Sequence, residues 1–252
     1  EIMLQQTQVK TVIPYFERFI KKFPNISTLA EANQDDILSL WSGLGYYSRA
    51  RNIHKTAIIL KSDFNSLLPS SLNQLLELPG IGRSTAGAIL SLGFNKKAPI
   101  LDGNVKRVIT RYQNIDGDIT KNKTLNYLWK IAEELQPKKD FYIYTQSIMD
   151  LGAIVCKRKM PLCEECPLSK DCLAKKNGSI HLIPYRKKKN KKPLKKVFWL
   201  LPYTLNGSVY LKKRKDSGLW GGLWTFIENH NLEYLLKEND NLLEGINQKL
   251  LH

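Results

Sequence analysis

Apolar residues recur at helical spacing from the start of the chain to Cys156. This pattern predicts a helix over residues 1–23, and Pro14 indicates a kink or a new helix start within it. Ser71 and Gln74 form a candidate capping box for another helix. Further helices are predicted at 34–42, 48–61, 84–93, 104–113, 121–135 and 140–155. No stretch in this part alternates with period two, so the sequence predicts an all-α first domain.

The pattern changes after Cys172. Residues 186–196 are dominated by Lys and Arg, with Pro184 and Pro193 nearby, which is typical of a linker. Beyond them, apolar runs at 197–201 and 208–211 flank Asn206-Gly207, a dipeptide that favours a β-hairpin turn. Because the chain starts in helical register and stops without a clear domain ending, we interpret it as a fragment truncated at both ends.

The segment Leu78-Pro79-Gly80-Ile81-Gly82 forms a tight turn between two apolar helical patterns. Pro79 ends the first helix, and Gly80 and Gly82 permit φ values that other residues resist. Backbone N–H groups at the start of the next helix are free to bind a phosphate oxygen. The alternative is an ordinary corner between two packed helices. The acidic loop Leu101-Asp102-Gly103-Asn104, in a strongly basic protein, favours the phosphate-binding interpretation.

The 252 residues carry a formal net charge of +16, and the pI is about 9.6. This excess predicts an anionic partner, with nucleic acid as the first candidate. A solvated basic surface would give the same charge, so the motifs decide between the two. No long apolar run or secretory signal is visible, which disfavours a membrane partner.

All four cysteines lie in one short window, spaced Cys156-x6-Cys163-x2-Cys166-x5-Cys172. This clustering indicates a metal centre, and disulfides are disfavoured in an intracellular basic protein. Structural zinc sites usually show two close cysteine pairs, whereas only one is present here. The spacing therefore favours an iron–sulfur cubane over zinc.

Together, the LPGIG turn, Asp102 and the cysteine loop resemble the helix-hairpin-helix DNA glycosylases that carry a [4Fe–4S] cluster. Within that superfamily the chain resembles the MutY-type adenine DNA glycosylase family more closely than the endonuclease III branch, and the resemblance covers nearly the whole chain. It rests on the segments EIMLQQTQV (1–9), GLGYYSRAR (43–51), GRSTAG (82–87) and ILDGNVKR (100–107).

The resemblance implies an all-α helix-hairpin-helix glycosylase fold with an iron–sulfur loop, followed by a truncated α+β Nudix-like domain. The expected domains are the helical catalytic domain (1–155, with the hairpin at about 71–93), the cluster loop (156–175), a basic linker (176–196) and the partial Nudix-like domain (197–252). The last is marked by SGLWGGLW (217–224). It lacks the acidic helix of a Nudix hydrolase, so its implied role is recognition of the oxidised guanine.

The family removes adenine mispaired with 8-oxoguanine or guanine, after flipping the base out of the duplex. The resemblance implies that Glu1 protonates the adenine ring and that Asp102 stabilises the oxocarbenium ion. This chemistry requires one protonated and one ionised carboxyl group. Taken alone, Glu1 would be a first-turn helix acid and Asp102 a helix N-cap, although capping and catalysis are compatible for Asp102.

Family members that also cut the backbone carry a lysine nucleophile at the position that matches Ser84. Ser84 therefore predicts a monofunctional glycosylase, although alone it is only a small first-turn helix residue. Asn104 and Gln146 match positions near the adenine pocket.

Gln5, Gln6 and Tyr46 match residues that insert around the oxidised guanine, where an aromatic ring can stack. The alternative for Tyr46 is core packing. With Gly80 and Gly82, these residues are the expected DNA contacts.

The resemblance further implies a monomer that acts on mispaired double-stranded DNA in the bacterial cytoplasm, without a membrane partner. Two other hypotheses stay open. One is an endonuclease III-like glycosylase with lyase activity, against which Ser84 and the Nudix-like segment argue. The other is a non-catalytic DNA-binding iron–sulfur protein, against which the paired carboxylates Glu1 and Asp102 argue.

Overall fold

The computed structural model describes residues 1–187, 193–204 and 206–240. Part of the predicted basic linker (188–192), Leu205 of the predicted hairpin and the end of the predicted Nudix-like domain (241–252) lie outside this description. The helices are α1 (Val9–Lys22), α2 (Ile26–Glu31), α3 (Gln34–Trp41), α4 (Ser48–Asp63), α5 (Leu72–Glu77), α6 (Arg83–Ala88), α7 (Gly103–Tyr112), α8 (Asn122–Glu134), α9 (Phe141–Asp150), α10 (Leu173–Lys176) and α11 (Leu232–Lys237). Two π-helical turns, Ile89–Gly93 and Leu151–Val155, extend α6 and α9.

Contacts divide the described residues into two compact units. The first unit contains Glu1–Ala32 and residues 52–187, and it carries the hairpin, Asp102 and the cysteines. The second unit contains Asn33–Arg51 together with the described residues from 193 onward.

The helical prediction for the first part of the chain is confirmed, with differences at the ends of helices. Helix α1 begins at Val9 and continues through Pro14, so no new helix starts there. Ser71 precedes α5, but its side chain makes no capping hydrogen bond, so the predicted capping box is wrong. A capping box occurs instead at α2, between Asn25 and Thr28.

Two apolar clusters in the first unit meet at α6 and its π-helical extension. Ala88 packs with residues of α7 and α8, including Val105, Ile109 and Leu128. Ala86 packs on the other side, in a cluster that includes Leu75 of α5. The small residues of α6 therefore bring the helix after the hairpin close to the segment that leads into Asp102.

Gly87 makes the tightest of these approaches in α6. A Cβ atom added there would lie 2.3 Å from the carbonyl oxygen of Pro99. We expect Gly87→Ala to destabilise the first unit by about 1–3 kcal/mol, because the backbone that leads into Asp102 must move. Urea unfolding would measure the change.

Gly93→Ala is the matched control, because a Cβ atom at Gly93 would meet nothing within 4 Å. This variant should unfold at the same urea concentration as the wild type or slightly higher, since alanine lowers the entropy of the unfolded chain. Equal losses in the two variants would contradict the prediction.

The C-terminal part of the second unit contains short antiparallel strand pairs. Strand β1 (Phe198–Leu200) pairs with β4 (Ile227–Asn229), and β2 (Lys212–Lys213) pairs with β3 (Trp224–Thr225). The predicted turn around Gly207 is confirmed by a bridge between Tyr203 and Val209. The expectation that the run 197–201 belongs to this hairpin is wrong, because β1 takes β4 as its partner. None of the described helices is long and apolar enough to cross a membrane.

Candidate active site

The turn between α5 and α6 places its two glycines in different conformations. Gly80 has φ of 78°, in the left-handed region, and a Cβ atom there would lie 2.8 Å from Nδ2 of Asn52. Gly82 has φ of −89°, which any residue can adopt, so the expectation of an unusual φ there is wrong. Because a Cβ atom at Gly82 would meet nothing within 4 Å, the start of α6 is open to a close approach by another molecule.

The segment that precedes α1 is tied to this turn through Gln5. Nε2 of Gln5 donates to the carbonyl oxygen of Gly80 at 3.3 Å and to Oγ1 of Thr85 at 3.0 Å. The next residue, Gln6, is exposed and has a left-handed φ of 59°. The structure thus brings Gln5 to the hairpin, with Gln6 next to it in sequence.

Asp102 is half-buried and caps the N-terminus of α7. The backbone N–H of Val105 donates to Oδ1 of Asp102 at 2.8 Å. Both this bond and the position at a helix N-terminus stabilise a negative charge. The hydroxyl of Ser84 accepts a hydrogen bond from the N–H of Leu101 at 3.0 Å, so α6 positions the residue next to Asp102.

A cation lies one helical turn beyond this carboxylate. Lys106 is half-buried, and burial lowers the pKa of its ammonium group. The charge of Asp102 acts in the opposite direction, by attraction. The carboxylate of Asp102 therefore has a nearby positive charge, from Lys106, in addition to the hydrogen bond from Val105.

Glu1 lies in different surroundings from Asp102. It is exposed and borders a cavity of about 630 Å³, whose other walls are formed largely by apolar residues of α1, α2 and α4. Asn25 and Thr56 are the polar members of that wall besides Glu1, so the cavity offers a nucleobase few hydrogen-bonding partners. The two carboxylates thus occupy distinct environments.

Asn104 and Gln146 lie on α7 and α9, which pack against each other. Oδ1 of Asn104 accepts a hydrogen bond from Nη2 of Arg107 at 2.9 Å. Gln146 is exposed and donates to Oδ1 of Asp150 on its own helix at 2.9 Å. The structure gives Asn104 a fixed position and leaves the outer face of Gln146 in contact with solvent.

The thiol groups of Cys156, Cys163, Cys166 and Cys172 line one small cavity of about 30 Å³, together with Arg111 and Lys175. Burial raises the pKa of the Cys163 thiol, and the neighbouring thiols raise it further. Within the described residues, no group of three or more His, Cys, Asp or Glu side chains is arranged to hold a single metal ion. The structure thus brings the four predicted cysteine ligands to the wall of one cavity.

Two arginines that the sequence analysis missed link α7 to the cysteine loop. Arg107 donates from Nε to the carbonyl oxygen of Cys156 at 2.6 Å. Arg111 is only 4% exposed and donates to the carbonyl oxygens of Lys157 (2.7 Å) and Ile183 (2.9 Å) and to Sγ of Cys156 (3.4 Å). Their spacing of four residues on the helix capped by Asp102 is the signal that could have identified them.

Tyr46 lies in the second unit, in the loop between α3 and α4. Its side chain is 57% exposed, so the ring is not part of the core. Its φ of 50° is left-handed, which costs a non-glycine residue about 1–2 kcal/mol. An exposed aromatic ring on a strained backbone is a feature typical of functional sites.

Residues 1–134 match the family described as HhH-GPD superfamily base excision DNA repair protein. The adenine DNA glycosylase of Buchnera aphidicola subsp. Baizongia pistaciae is 45% identical over 261 residues, which cover 100% of this chain and 74% of that protein. The adenine DNA glycosylase of Mus musculus is 33% identical, over 94% of this chain and 56% of that protein.

Solved structures give the same fold. A thermostable thymine-DNA glycosylase superposes with a TM-score of 0.63 and 29% identity, over 70% of this chain and 81% of its own. A non-covalent endonuclease III–DNA complex superposes with a TM-score of 0.61 and 25% identity, over 70% and 81% of the two chains.

Proposed function

This chain belongs to the adenine DNA glycosylase family of HhH-GPD repair proteins and is a base excision repair glycosylase, and from that premise we propose that it removes adenine mispaired with 8-oxoguanine or guanine. Its substrate is double-stranded DNA, and it releases the base without cutting the strand. One observation carries the proposal. Asp102 is held at the start of α7, and the Ser84 side chain of α6, which accepts a hydrogen bond from the neighbouring Leu101, carries a hydroxyl and not an amine.

In the proposed reaction, the bond between adenine and the sugar breaks, and its electron pair leaves with the base. The developing oxocarbenium ion needs a fixed negative charge nearby, and Asp102 is the candidate. Its oxygen Oδ1 is held by the N–H of Val105, so the carboxylate does not reorganise as charge develops. Water then adds to the sugar carbon and loses a proton, which leaves an abasic site.

Adenine leaves as a neutral base only if it is protonated, and Glu1 is the proposed general acid. The different surroundings of Glu1 and Asp102 support separate roles for the two carboxyl groups. Asn104, fixed by Arg107, and Gln146 are proposed to contact the flipped adenine. Reaching the base inside the stack requires that it be flipped out.

The proposed DNA contacts combine backbone and side-chain groups. Gly82 leaves the start of α6 open, so a phosphate can approach its N–H groups. Gln5, which contacts Gly80, its neighbour Gln6 and the exposed Tyr46 are proposed to enter the duplex around the oxidised guanine. The net charge of +16 provides the attraction to phosphate. The segment 197–252 is proposed to recognise the oxidised guanine.

The proposed cofactor is a [4Fe–4S] cluster held by Cys156, Cys163, Cys166 and Cys172. When bound, it would cross-link the loop through iron–sulfur bonds. The shared cavity and the hydrogen bond from Arg111 to Cys156 support this assignment. The cluster loop is then a rigid basic surface that helps to bind DNA.

Cys166→Ala should lower the iron and sulfide content of the purified protein and weaken its DNA affinity, because one ligand is lost. Elemental analysis and fluorescence anisotropy would measure the two effects. The exposed neighbour Glu165 gives the control, and Glu165→Gln should retain its iron. Unchanged affinity in a Cys166→Ala protein that contains no metal would show that the cluster has no part in DNA binding.

The function is tested with the whole protein and a labelled duplex that contains adenine opposite 8-oxoguanine. Each sample is divided between heated alkali and no alkali. Cleavage that appears only after alkali is the expected result, since abasic sites break in alkali and Ser84 supplies no amine nucleophile.

Strand cleavage without alkali would instead indicate a bifunctional glycosylase/lyase. No cleavage in either sample, with DNA binding and iron content intact, would indicate a non-catalytic binding protein. A duplex with cytosine opposite 8-oxoguanine is the control, and it should stay intact in both conditions.

A further inference from the structure

The loop that carries Tyr46 has three residues with left-handed backbone conformations. Gly43, Gly45 and Tyr46 have φ of 91°, 75° and 50°. Glycine adopts such angles readily, but tyrosine does so only when other contacts compensate. The conformation of Tyr46 therefore needs a source of stabilisation in the folded protein.

Two side chains fix the loop from the inside by sharing one acceptor. Nε1 of Trp41 donates to the carbonyl oxygen of Gly45 at 3.0 Å, and Nη2 of Arg49 donates to the same oxygen at 3.2 Å. Trp41 is fully buried. This carbonyl therefore points inward, and the next residue, Tyr46, projects outward.

The guanidinium group of Arg49 also contacts both aromatic rings. Its central carbon lies over the rings of Trp41 and Tyr46, 5.4 Å from each centroid. Arg49 is only 6% exposed, whereas Tyr46 is 57% exposed. Arg49 thus contacts Tyr46 from the protein side and leaves much of the ring open to solvent.

We infer that Arg49 is a positioning residue, which holds the ring of Tyr46 in the orientation needed to enter the DNA stack. This inference rests on the proposed insertion of Tyr46 and names the residue on which the insertion depends. Arg49 is buried and acts through Tyr46, so it is not itself a DNA contact. The ring is then ordered before DNA arrives, and less conformational entropy is lost on binding.

The chemistry of arginine suits this task better than that of lysine. A planar guanidinium stacks on aromatic faces and can donate in its own plane at the same time. An ammonium group can attract one ring but cannot keep both the stacking and the bond to Gly45. Arg49→Lys should therefore retain only part of the effect, and Arg49→Met should lose it.

The test is a double-mutant cycle on the whole protein with Tyr46→Ala, Arg49→Met and the combination. Binding to a duplex with adenine opposite 8-oxoguanine is measured by anisotropy. The fluorescence of 2-aminopurine beside the oxidised guanine reports the opening of the stack. Arg49→Met should weaken binding about tenfold and reduce the 2-aminopurine signal, and the double variant should be no worse than Tyr46→Ala.

Arg51→Met is the matched control for the loss of a buried arginine. Arg51 is 8% exposed, lies on the same helix and donates to the carbonyl oxygen of Gly221 at 2.6 Å, so it serves a different contact. Its effect on binding should add to that of Tyr46→Ala. If Arg49→Met does not fold, Arg49→Lys takes its place in the double-mutant cycle with Tyr46→Ala.

The results separate this inference from the function on which it rests. If Tyr46→Ala leaves the 2-aminopurine signal unchanged, the insertion of Tyr46 is wrong, and the inference fails with it. If Tyr46→Ala abolishes the signal but the effect of Arg49→Met is absent or additive, only the role of Arg49 is wrong.

Discussion

Replacing Asp102 with Asn should lower the rate of adenine release at least about 1,000-fold, while DNA binding persists. Asn has the shape of Asp and is an equally good helix cap, so its oxygen can still accept the N–H of Val105. The change removes the negative charge and little else. Single-turnover excision on the mispaired duplex would measure the loss.

Thermal unfolding and anisotropy provide the controls for Asp102→Asn. Both should match the wild type, because α7 keeps its cap. Asp116→Asn removes a similar charge from an exposed site and should leave the rate of excision unchanged. Excision by Asp102→Asn within tenfold of the wild type would show that Asp102 is a helix cap alone.

Arg111→Met should destabilise the first unit by about 3 kcal/mol, because the buried carbonyl of Ile183 is left without a donor, which costs about 1–3 kcal/mol, and the partly buried bond to Lys157 is lost as well. Arg111 supplies donors to Lys157, at the start of the cysteine loop, and to Ile183, which follows the loop in sequence. Methionine fills much of the same volume but donates no hydrogen bond. The melting temperature should fall by about 6–12 °C.

Arg158→Met is the matched control for Arg111→Met, since the side chain of Arg158 is exposed in the same loop. It should change the melting temperature by no more than about 2 °C. Differential scanning calorimetry would compare the two. Similar melting temperatures would mean that the loop is anchored to α7 without Arg111.

Several features of the candidate active site were predictable because they depend on residues close in sequence. A 3.6-residue apolar period predicts each long helix, since it requires only that one face be buried. Pro79 and Gly80 predict the turn through their own backbone preferences. Asp102 is recognisable as a cap because the backbone N–H that donates to its side chain belongs to Val105, only three residues further along the chain.

Other features depend on pairs of residues that lie far apart in the chain. The hydroxyl of Ser84 meets Leu101 only after α6 folds against the segment before α7. Arg111 reaches Ile183 across more than seventy positions. The turn dipeptide Asn206-Gly207 predicts that β1 pairs with the segment directly after it, yet β1 pairs with β4. Such choices are set by competition among possible partners, which no local pattern encodes.

Sequence alone therefore identified the helical fold, the hairpin, the four candidate ligands and the candidate carboxylates, because each is encoded in local spacing or in a motif. The tertiary structure decided which of them share surroundings. It placed the four thiols around one cavity beside Arg111, and it placed Glu1 and Asp102 in different environments. It also left the ring of Tyr46 exposed and supported by Arg49. The physical reason is that burial, shared acceptors and cation–aromatic contacts arise only when distant segments pack together.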